Sequence, residues 1–211
     1  MSKHKFNIIL DLDETLLSTV DITDKKDLEG VTVKDLKVLK KNKDALKFDN
    51  YLITPRPHLQ EFLDFLFKNF NVSIWTAASK EYACFIANEL ITPRNKSKRK
   101  LSCFFFDTHR DISEKIYKAP KKLETLWQQF KLRDDFNKKN TIIIDDLQDV
   151  KNSQPEYTYQ IPAFDVRKNN YVKDEELKTL MKLLSENLEG LNRSSGRDLD
   201  SARRKITMQT V

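Results

Sequence analysis

Glycine is scarce in this chain. The 211 residues include three glycines, Gly30, Gly190 and Gly196, and their spacing matches neither a Walker-type phosphate loop nor a dinucleotide-binding motif. If the protein binds a phosphate group, it must therefore do so with side chains, ordinary backbone amides or a metal ion.

Cysteine and histidine are also rare. The two cysteines, Cys84 and Cys103, lie in apolar contexts and form neither a CxxC pair nor a disulfide framework, which favours reduced thiols and an intracellular protein. The three histidines, His4, His58 and His109, show no Cys-His arrangement suited to cysteine catalysis.

Long apolar runs are missing as well. No stretch reaches the roughly 18 apolar residues that a membrane-spanning helix needs, which argues against a membrane protein. The N-terminal residues MSKHK lead directly into a short apolar segment, so we expect no signal peptide.

Positive charge is in modest excess and unevenly placed. The net charge is +6, and residues 92–100 carry five basic residues and no acidic one. Residues 34–47 add six lysines against Asp35 and Asp44. Both segments are typical of solvated loops, and the alternative is a basic rim that gathers an anionic substrate. Direct binding of nucleic acid is a further alternative for these basic residues.

The most informative stretch is residues 6–15, FNIILDLDET. The apolar run up to Leu10 predicts a strand buried on both faces of a parallel sheet. Asp11, Asp13 and Thr15 follow at its carboxyl end, where α/β sheets bind ligands. Crowded carboxylates need a cation or another partner. They suit Mg²⁺, and an aspartate can also attack phosphorus to form an aspartyl-phosphate.

The pattern after this stretch alternates between helix and strand. Further strands are predicted at 71–75, 103–106, 141–144 and 157–161. Helices are predicted at 59–69, at about 79–90, from Pro120 onward and at 174–188, with a connecting segment up to Ala119. This order predicts an α/β fold with a mainly parallel sheet and helices on both faces.

Two segments stand outside that alternation. Residues of about 16–54, with β-like pieces around 31–33 and 48–53, predict a small β-hairpin insert after the first strand. The apolar pattern fails from Gly190, so we predict a single domain over residues 1–189 and a disordered basic tail over 190–211.

Polar residues end three of the predicted strands. They are Asp11 with Asp13 and Thr15, then Thr76, then Asp145 with Asp146. Because parallel strands end at the same edge of a sheet, we expect these side chains to converge. Phosphoryl transfer needs such a set, with a nucleophile, an acid and charge neutralisation.

The motifs also resemble a known family. DLDET at residues 11–15 resembles the DxDxT signature of haloacid dehalogenase-like phosphotransferases. RPH and EFL within residues 56–63 resemble the RPxxxEFL segment of FCP/SCP-type phosphatases, which act on phosphoserine in the RNA polymerase II C-terminal domain. IWTAA at 74–78, the K-x-L of 121–123 and IIIDD at 142–146 resemble their later motifs. The resemblance covers about residues 5–188.

The resemblance implies a Rossmann-like haloacid dehalogenase fold and roles for individual residues. Asp11 would be the nucleophile and Asp13 the general acid and base, while Thr76 would bind and Lys121 neutralise the phosphoryl group. Lys118 and Lys122 compete with Lys121 for its role. The Mg²⁺ ligands would be Asp11, Asp13 through its backbone carbonyl, Asp146 and Asp145, with Asp145 as an outer ligand or as the partner of the lysine. The substrate-binding candidates are Thr15, Arg56 and Arg110, although Thr15 also suits a loop-supporting role and Arg56 a structural one.

The resemblance also implies a function. We predict a Mg²⁺-dependent protein serine/threonine phosphatase, with a C-terminal-domain-like phosphopeptide as its substrate and a monomer as its form. The alternatives are a phosphatase for nucleic-acid ends or small phosphate esters, and a non-catalytic phosphoprotein-binding module. The ubiquitin-like-domain-containing branch is most similar, but we expect neither a ubiquitin-like nor a BRCT domain. The resemblance implies a nuclear location, with the cytoplasm, or a viral factory for a viral protein, as alternatives.

Overall fold

The computed structural model describes residues 6–29, 44–168, 171–192 and 197–209. A five-stranded parallel sheet lies at its centre, with strands in the order β6-β5-β1-β7-β8. These strands are β1 (Asn7–Leu10), β5 (Asn71–Trp75), β6 (Phe104–Phe105), β7 (Thr141–Asp145) and β8 (Thr158–Gln160). The predicted α/β fold is confirmed.

The apolar run of β1 is explained by its central position. Ile8 and Leu10 contribute to the core on one face of the sheet, whereas Ile9 packs into a second core on the other face. A strand covered on both faces has no polar side to alternate with. The register places Leu10 beside Ile74 of β5 and Ile144 of β7, so the three strands end at the same level.

The helices flank this sheet. The predicted helix at 59–69 is confirmed as α1 (Leu59–Asn69), whose buried stripe contains Leu59, Phe62, Leu63 and Leu66. The other α-helices of the described residues are α2 (Lys80–Ile86), which continues as a π-helical turn (Ala87–Ile91), α3 (Asp107–Tyr117), α4 (Glu124–Gln128), α5 (Gln148–Ser153), α6 (Glu176–Glu186), α7 (Leu188–Leu191) and α8 (Arg197–Thr207). Every helix in the described residues is too short or too polar to cross a membrane.

The predicted insert forms a small antiparallel sheet. Strands β2 (Leu17–Asp21), β3 (Leu46–Phe48) and β4 (Tyr51–Pro55) are arranged in the order β2-β4-β3. The β3–β4 hairpin accounts for the β-like piece predicted at 48–53. The piece predicted around 31–33 lies outside the described residues.

The structure differs from the sequence prediction in two segments. The predicted connection before Ala119 contains α3, and the predicted disordered tail contains α8. In α8, Leu199, Ala202 and Ile206 are buried and recur every three or four residues. This short stripe was obscured by the charged residues around it, and it becomes stable by packing against α7 and β8.

Candidate active site

The ends of β1, β5 and β7 bring the predicted motifs together. The Asp11 amide donates to the Ile144 carbonyl oxygen at 3.0 Å, which extends the ladder one residue beyond β1. The Thr76 amide donates in the same way to the Phe105 carbonyl oxygen at 3.0 Å. The sheet itself therefore positions the first residue of each polar motif.

Lys121 joins two of these motifs. Its Nζ lies 2.6 Å from Asp11 Oδ1 and 2.8 Å from Asp145 Oδ2, and its side chain is almost fully buried. Burial opposes its charge, but the carboxylates of Asp11 and Asp145 outweigh it and raise the Lys121 pKa above its ordinary value. The ammonium therefore stays charged between two carboxylates.

The backbone after α3 decides which lysine reaches the site. Lys118 ends that helix in a left-handed conformation, with φ of 52°, and its side chain is exposed. Lys121 is also left-handed, with φ of 48°, and its carbonyl oxygen accepts a hydrogen bond from Gln154 Nε2 at 2.9 Å. Lys122 turns away and donates to the Ser153 carbonyl oxygen. Of the three competing lysines, Lys121 is the one in the cluster.

The two carboxylates paired with this lysine form a cluster with a third. Asp11, Asp145 and Asp146 each place one oxygen so that all three oxygens lie within 4.8 Å of one another. Burial, opposed by Lys121 and reinforced by Asp145, raises the Asp11 pKa well above its ordinary value. Burial and the neighbouring Asp145 raise the Asp146 pKa to about 6. Raised pKa values of this kind show that the surroundings supply too little positive charge to balance the carboxylates.

A divalent cation fits this cluster by charge and by donor type. Three carboxylates against the one ammonium of Lys121 leave an excess of two negative charges when all are ionised. Carboxylate oxygens are the ligands that Mg²⁺ prefers. Asp11, Asp145 and Asp146 could therefore hold the ion.

Hydrogen bonds orient two of these carboxylates. Asp145 Oδ1 accepts from the Leu147 amide at 2.9 Å, and Asp146 Oδ1 accepts from Thr15 Oγ1 at 3.1 Å. Thr15 is fully buried, so the structure places it as a support for Asp146. This agrees with the loop-supporting role considered for it.

Asp13 lies apart from this carboxylate cluster. Its Oδ1 accepts from the Tyr82 hydroxyl at 2.6 Å and lies 3.2 Å from Thr19 Oγ1. Burial raises the Asp13 pKa, although these two hydrogen bonds act against it. The sequence analysis identified neither Thr19 nor Tyr82 as a partner of Asp13. A buried tyrosine ring whose hydroxyl needs a partner was the one available signal.

Thr76 is buried at the end of β5. Its Oγ1 accepts a hydrogen bond from the Ala78 amide at 3.0 Å. This bond orients the side chain within the turn that leads to α2, and it leaves the hydroxyl proton as a donor.

The two candidate arginines lie outside the cluster. Arg56 is buried, and its guanidinium donates to both Asp174 carboxylate oxygens at 2.8 Å and to the Thr15 carbonyl oxygen at 3.0 Å. Arg56 therefore ties the start of α1 to the loop before α6. Arg110, on α3, has a partly exposed side chain paired with Asp111 at 3.3 Å.

The basic segment at 92–100 is partly structural as well. Arg99 is buried and donates to Asp64 Oδ1, at 2.7 Å from Nη2, and to the Gln60 carbonyl oxygen at 2.9 Å. Lys96 pairs with Asp64 at 2.7 Å. Two of the five basic residues thus anchor this segment to α1.

Comparison with known proteins identifies the family. The model of the NLI interacting factor-like phosphatase family matches residues 6–195. The chain belongs to this family. A protein of Invertebrate iridescent virus 6, described as CTD phosphatase-like, is 45% identical to this chain over 189 residues. The match covers 86% of this chain and 98% of that protein. A protein of Invertebrate iridescent virus 3 with the same description is 40% identical over 185 residues, covering 84% and 94%.

Solved structures confirm the fold of this family member. Fcp1, described as an essential RNA polymerase II CTD phosphatase, superposes with a TM-score of 0.54 at 20% identity, covering 94% of this chain. A fission yeast Fcp1 variant bound to beryllium fluoride gives 0.53 at 18% identity, covering 98%. The chain spans 56% and 63% of those two proteins. Together, the family and the haloacid dehalogenase fold support a phosphatase of the haloacid dehalogenase type.

Proposed function

We propose that this phosphatase hydrolyses phosphoserine or phosphothreonine in a peptide, through an aspartyl-phosphate on Asp11 and with Mg²⁺ as its cofactor. The observation that carries the proposal is the buried Asp11 carboxylate, held 2.6 Å from Lys121 beside Asp145 and Asp146. Burying a carboxylate is costly unless it is paired, and such costly groups are concentrated at functional sites.

The first step is transfer of the phosphoryl group to Asp11. A bond forms between the Asp11 carboxylate and phosphorus while the bond from phosphorus to the serine oxygen breaks. Asp13 gives its proton to that leaving oxygen. In the second step, Asp13 takes a proton from water, which attacks phosphorus, releases phosphate and restores the Asp11 carboxylate.

Neighbouring groups balance the charge of this transfer. Lys121 keeps Asp11 in place and offers positive charge to the phosphoryl oxygens, and the Thr76 hydroxyl is a donor to them. When bound by Asp11, Asp145 and Asp146, Mg²⁺ would reduce the repulsion between the carboxylates and the anionic substrate.

The substrate class is proposed from the relatives. The two viral proteins are described as CTD phosphatase-like, and Fcp1 as a CTD phosphatase. The described part of the insert is a three-stranded sheet, which is smaller than a separate cap domain. Among the described residues no large cap covers the site, which suits an extended phosphopeptide better than an enclosed small molecule.

The chemistry is tested by hydrolysis of p-nitrophenyl phosphate. We expect the wild type to be active with Mg²⁺, and the activity to fall to background in EDTA and in Asp11→Asn. Asp134→Asn, which removes an exposed carboxylate, is the matched control and should behave as the wild type. A folded wild type without Mg²⁺-dependent activity would contradict catalysis and favour a binding module.

The substrate is tested by a second panel. Phosphoserine and phosphothreonine peptides of C-terminal-domain repeat sequence are compared with 5′- and 3′-phosphorylated oligonucleotides and with sugar phosphates. We expect the highest kcat/KM for a peptide. A preference for oligonucleotide ends or sugar phosphates would overturn the proposed substrate while keeping the chemistry.

A further inference from the structure

Two hydroxyl groups from different elements hold the Asp13 carboxylate. The Tyr82 hydroxyl, on α2, and Thr19 Oγ1, on β2, lie 2.6 Å and 3.2 Å from the same oxygen, Asp13 Oδ1. The two hydroxyls are themselves 2.7 Å apart. We propose that Thr19 and Tyr82 are positioning residues that orient Asp13 so that its Oδ2 exchanges the proton with the leaving group. This inference rests on the proposed function.

Proton counting supports this orientation. The triangle of Oδ1 and two hydroxyl oxygens has three short contacts, but the hydroxyls supply only two protons. With Tyr82 donating to Asp13, Thr19 donates either to Asp13 or to the Tyr82 oxygen. In both cases Oδ1 is an acceptor, so a proton carried by Asp13 is placed on Oδ2.

The tyrosine is in turn held by the insert. Its ring is buried and meets the Phe48 ring edge-on at 5.7 Å and the Tyr51 ring at 6.2 Å. Phe85, one turn further along α2, packs on Phe48 at 5.0 Å. The β3–β4 hairpin therefore fixes the ring whose hydroxyl contacts Asp13. Through Thr19 on β2, the same small sheet contacts Asp13 directly.

This arrangement predicts a dependence on the leaving group. When phosphorus transfers to Asp11, the electron pair of the breaking bond stays on the leaving oxygen, and the proton from Asp13 Oδ2 neutralises it. An alkoxide leaving group from phosphoserine needs that proton, whereas the weakly basic p-nitrophenolate leaves without it. Misplacing Oδ2 should therefore slow the hydrolysis of phosphoserine far more than the hydrolysis of p-nitrophenyl phosphate.

The test compares kcat/KM for a phosphoserine peptide and for p-nitrophenyl phosphate in Tyr82→Phe and Thr19→Val. A general acid contributes about 10²–10⁴-fold, so we expect the phosphopeptide value to fall by about tenfold or more. The p-nitrophenyl phosphate value should fall by less than about threefold, since that leaving group needs little protonation. Thr19→Ser, which keeps the hydroxyl, should restore the wild-type ratio.

Matched controls remove hydroxyls that do not contact Asp13. Tyr51→Phe alters a tyrosine that packs against Tyr82. Thr54→Val removes a buried hydroxyl on β4 that has no hydrogen-bond partner among the described residues. We expect both to keep the wild-type ratio of the two kcat/KM values.

A double-mutant cycle separates positioning from a structural effect. If Tyr82 acts through Asp13, adding Tyr82→Phe to Asp13→Asn should leave the ratio of the two kcat/KM values unchanged. An additive further loss, or an equal loss on both substrates in Tyr82→Phe, would overturn the inference. If Asp11→Asn hydrolyses both substrates as fast as the wild type does, the proposed function itself is wrong. Asp11-dependent hydrolysis with an unchanged ratio in Tyr82→Phe overturns this inference alone.

Discussion

At the scale of single residues, Lys121 decides whether the carboxylate cluster can exist. It is buried and pairs with Asp11 and Asp145 at the same time. A buried pair adds little net stability compared with an apolar replacement, yet removing one partner leaves an uncompensated buried charge. The effect of deleting the lysine therefore depends on whether another cation is present.

We predict that Lys121→Met lowers the free energy of unfolding by roughly 3–5 kcal/mol in EDTA, as expected for a broken buried ion pair. Mg²⁺ should restore part of this loss because it neutralises the same carboxylates. The phosphatase activity should fall to background. Thermal and urea unfolding, with and without Mg²⁺, measure the first two effects.

Lys118→Met is the matched control for that variant. Lys118 is exposed and has nearly the same left-handed backbone conformation, so the substitution changes charge without breaking the cluster. Its stability and activity should match the wild type. Equal effects of the two substitutions would show that the pairing of Lys121 carries no special role.

Asp146 makes the stability of the metal-free protein depend on pH. Its folded-state pKa of about 6 lies above the ordinary value of 3.8. As the pH rises, the unfolded chain loses this proton first, so the folded state binds more protons between these two values. The contribution of Asp146 is therefore fully present below pH 3.8 and is lost as the pH rises through about 6.

We predict that, in EDTA, the wild-type melting temperature falls relative to that of Asp146→Asn as the pH rises from about 4 to about 6. The variant cannot ionise at this position, so its stability lacks the pH-dependent contribution of Asp146. Differential scanning calorimetry across this range measures the difference. A constant difference between the two proteins would mean that Asp146 ionises normally in the folded state.

At the scale of elements, α8 packs against the edge strand of the sheet. Strand β8 lies at the edge, where unpaired backbone groups would be open to other chains. Arg203 Nη1 and Thr207 Oγ1 donate to the Glu156 carbonyl oxygen at 2.6 and 3.0 Å, and Lys151 donates to the Thr207 carbonyl oxygen. These contacts join the helix to the turn that begins β8.

The approach of α8 to α7 depends on Gly190. A Cβ added there would lie 2.8 Å from Ala202 Cβ and 3.3 Å from the Asp198 carbonyl oxygen. Overpacking of this kind costs about 1–3 kcal/mol. The helix propensity of alanine returns at most about 1 kcal/mol, and less in a helix as short as α7.

We therefore predict that Gly190→Ala lowers the free energy of unfolding by about 1–2 kcal/mol, because the overpacking cost exceeds the propensity gain. Ala202→Gly removes the methyl group that the new side chain would meet. The double variant should be more stable than the sum of the two single effects predicts. Strict additivity in urea unfolding would show that the two positions do not clash.

At the scale of the whole molecule, a metal ion would link the carboxyl ends of the neighbouring strands β1 and β7. Asp11 follows β1, while Asp145 and Asp146 follow β7, so an ion held by all three is bound only by the folded chain. A ligand that binds only the folded state stabilises it by mass action.

We predict that Mg²⁺ at about a hundred times its Kd adds about 2.7 kcal/mol, which raises the melting temperature of a chain of this size by roughly 5–10 °C. Asp146→Asn should lose most of this increase, whereas Asp134→Asn should keep it. An equal increase in both variants would place the ion outside the three-carboxylate cluster.

Much of the fold was predictable because its signals are local. The apolar run of β1 and the stripe of α1 identify their own elements, and the confirmed bounds of α1 follow from four buried residues. The helix α8 was missed because its apolar residues are few and its stability comes from packing against distant elements. The local sequence pattern does not indicate that packing.

The sequence by itself determined which residues stand at the ends of β1, β5 and β7, since strand direction and length place Asp11, Thr76 and Asp145 at one edge. Only the tertiary structure decided which lysine reaches them. Lys121 meets Asp145, 24 positions away in the chain, because two left-handed residues turn the backbone after α3.

The tertiary structure also decided the partners of Asp13 and of Arg56. Asp13 meets Tyr82 across 69 positions, and Arg56 meets Asp174 across 118. Hydrogen bonds of this kind depend on the packing of whole elements. A linear sequence supplies the donors and acceptors, but it does not contain the distances that pair them.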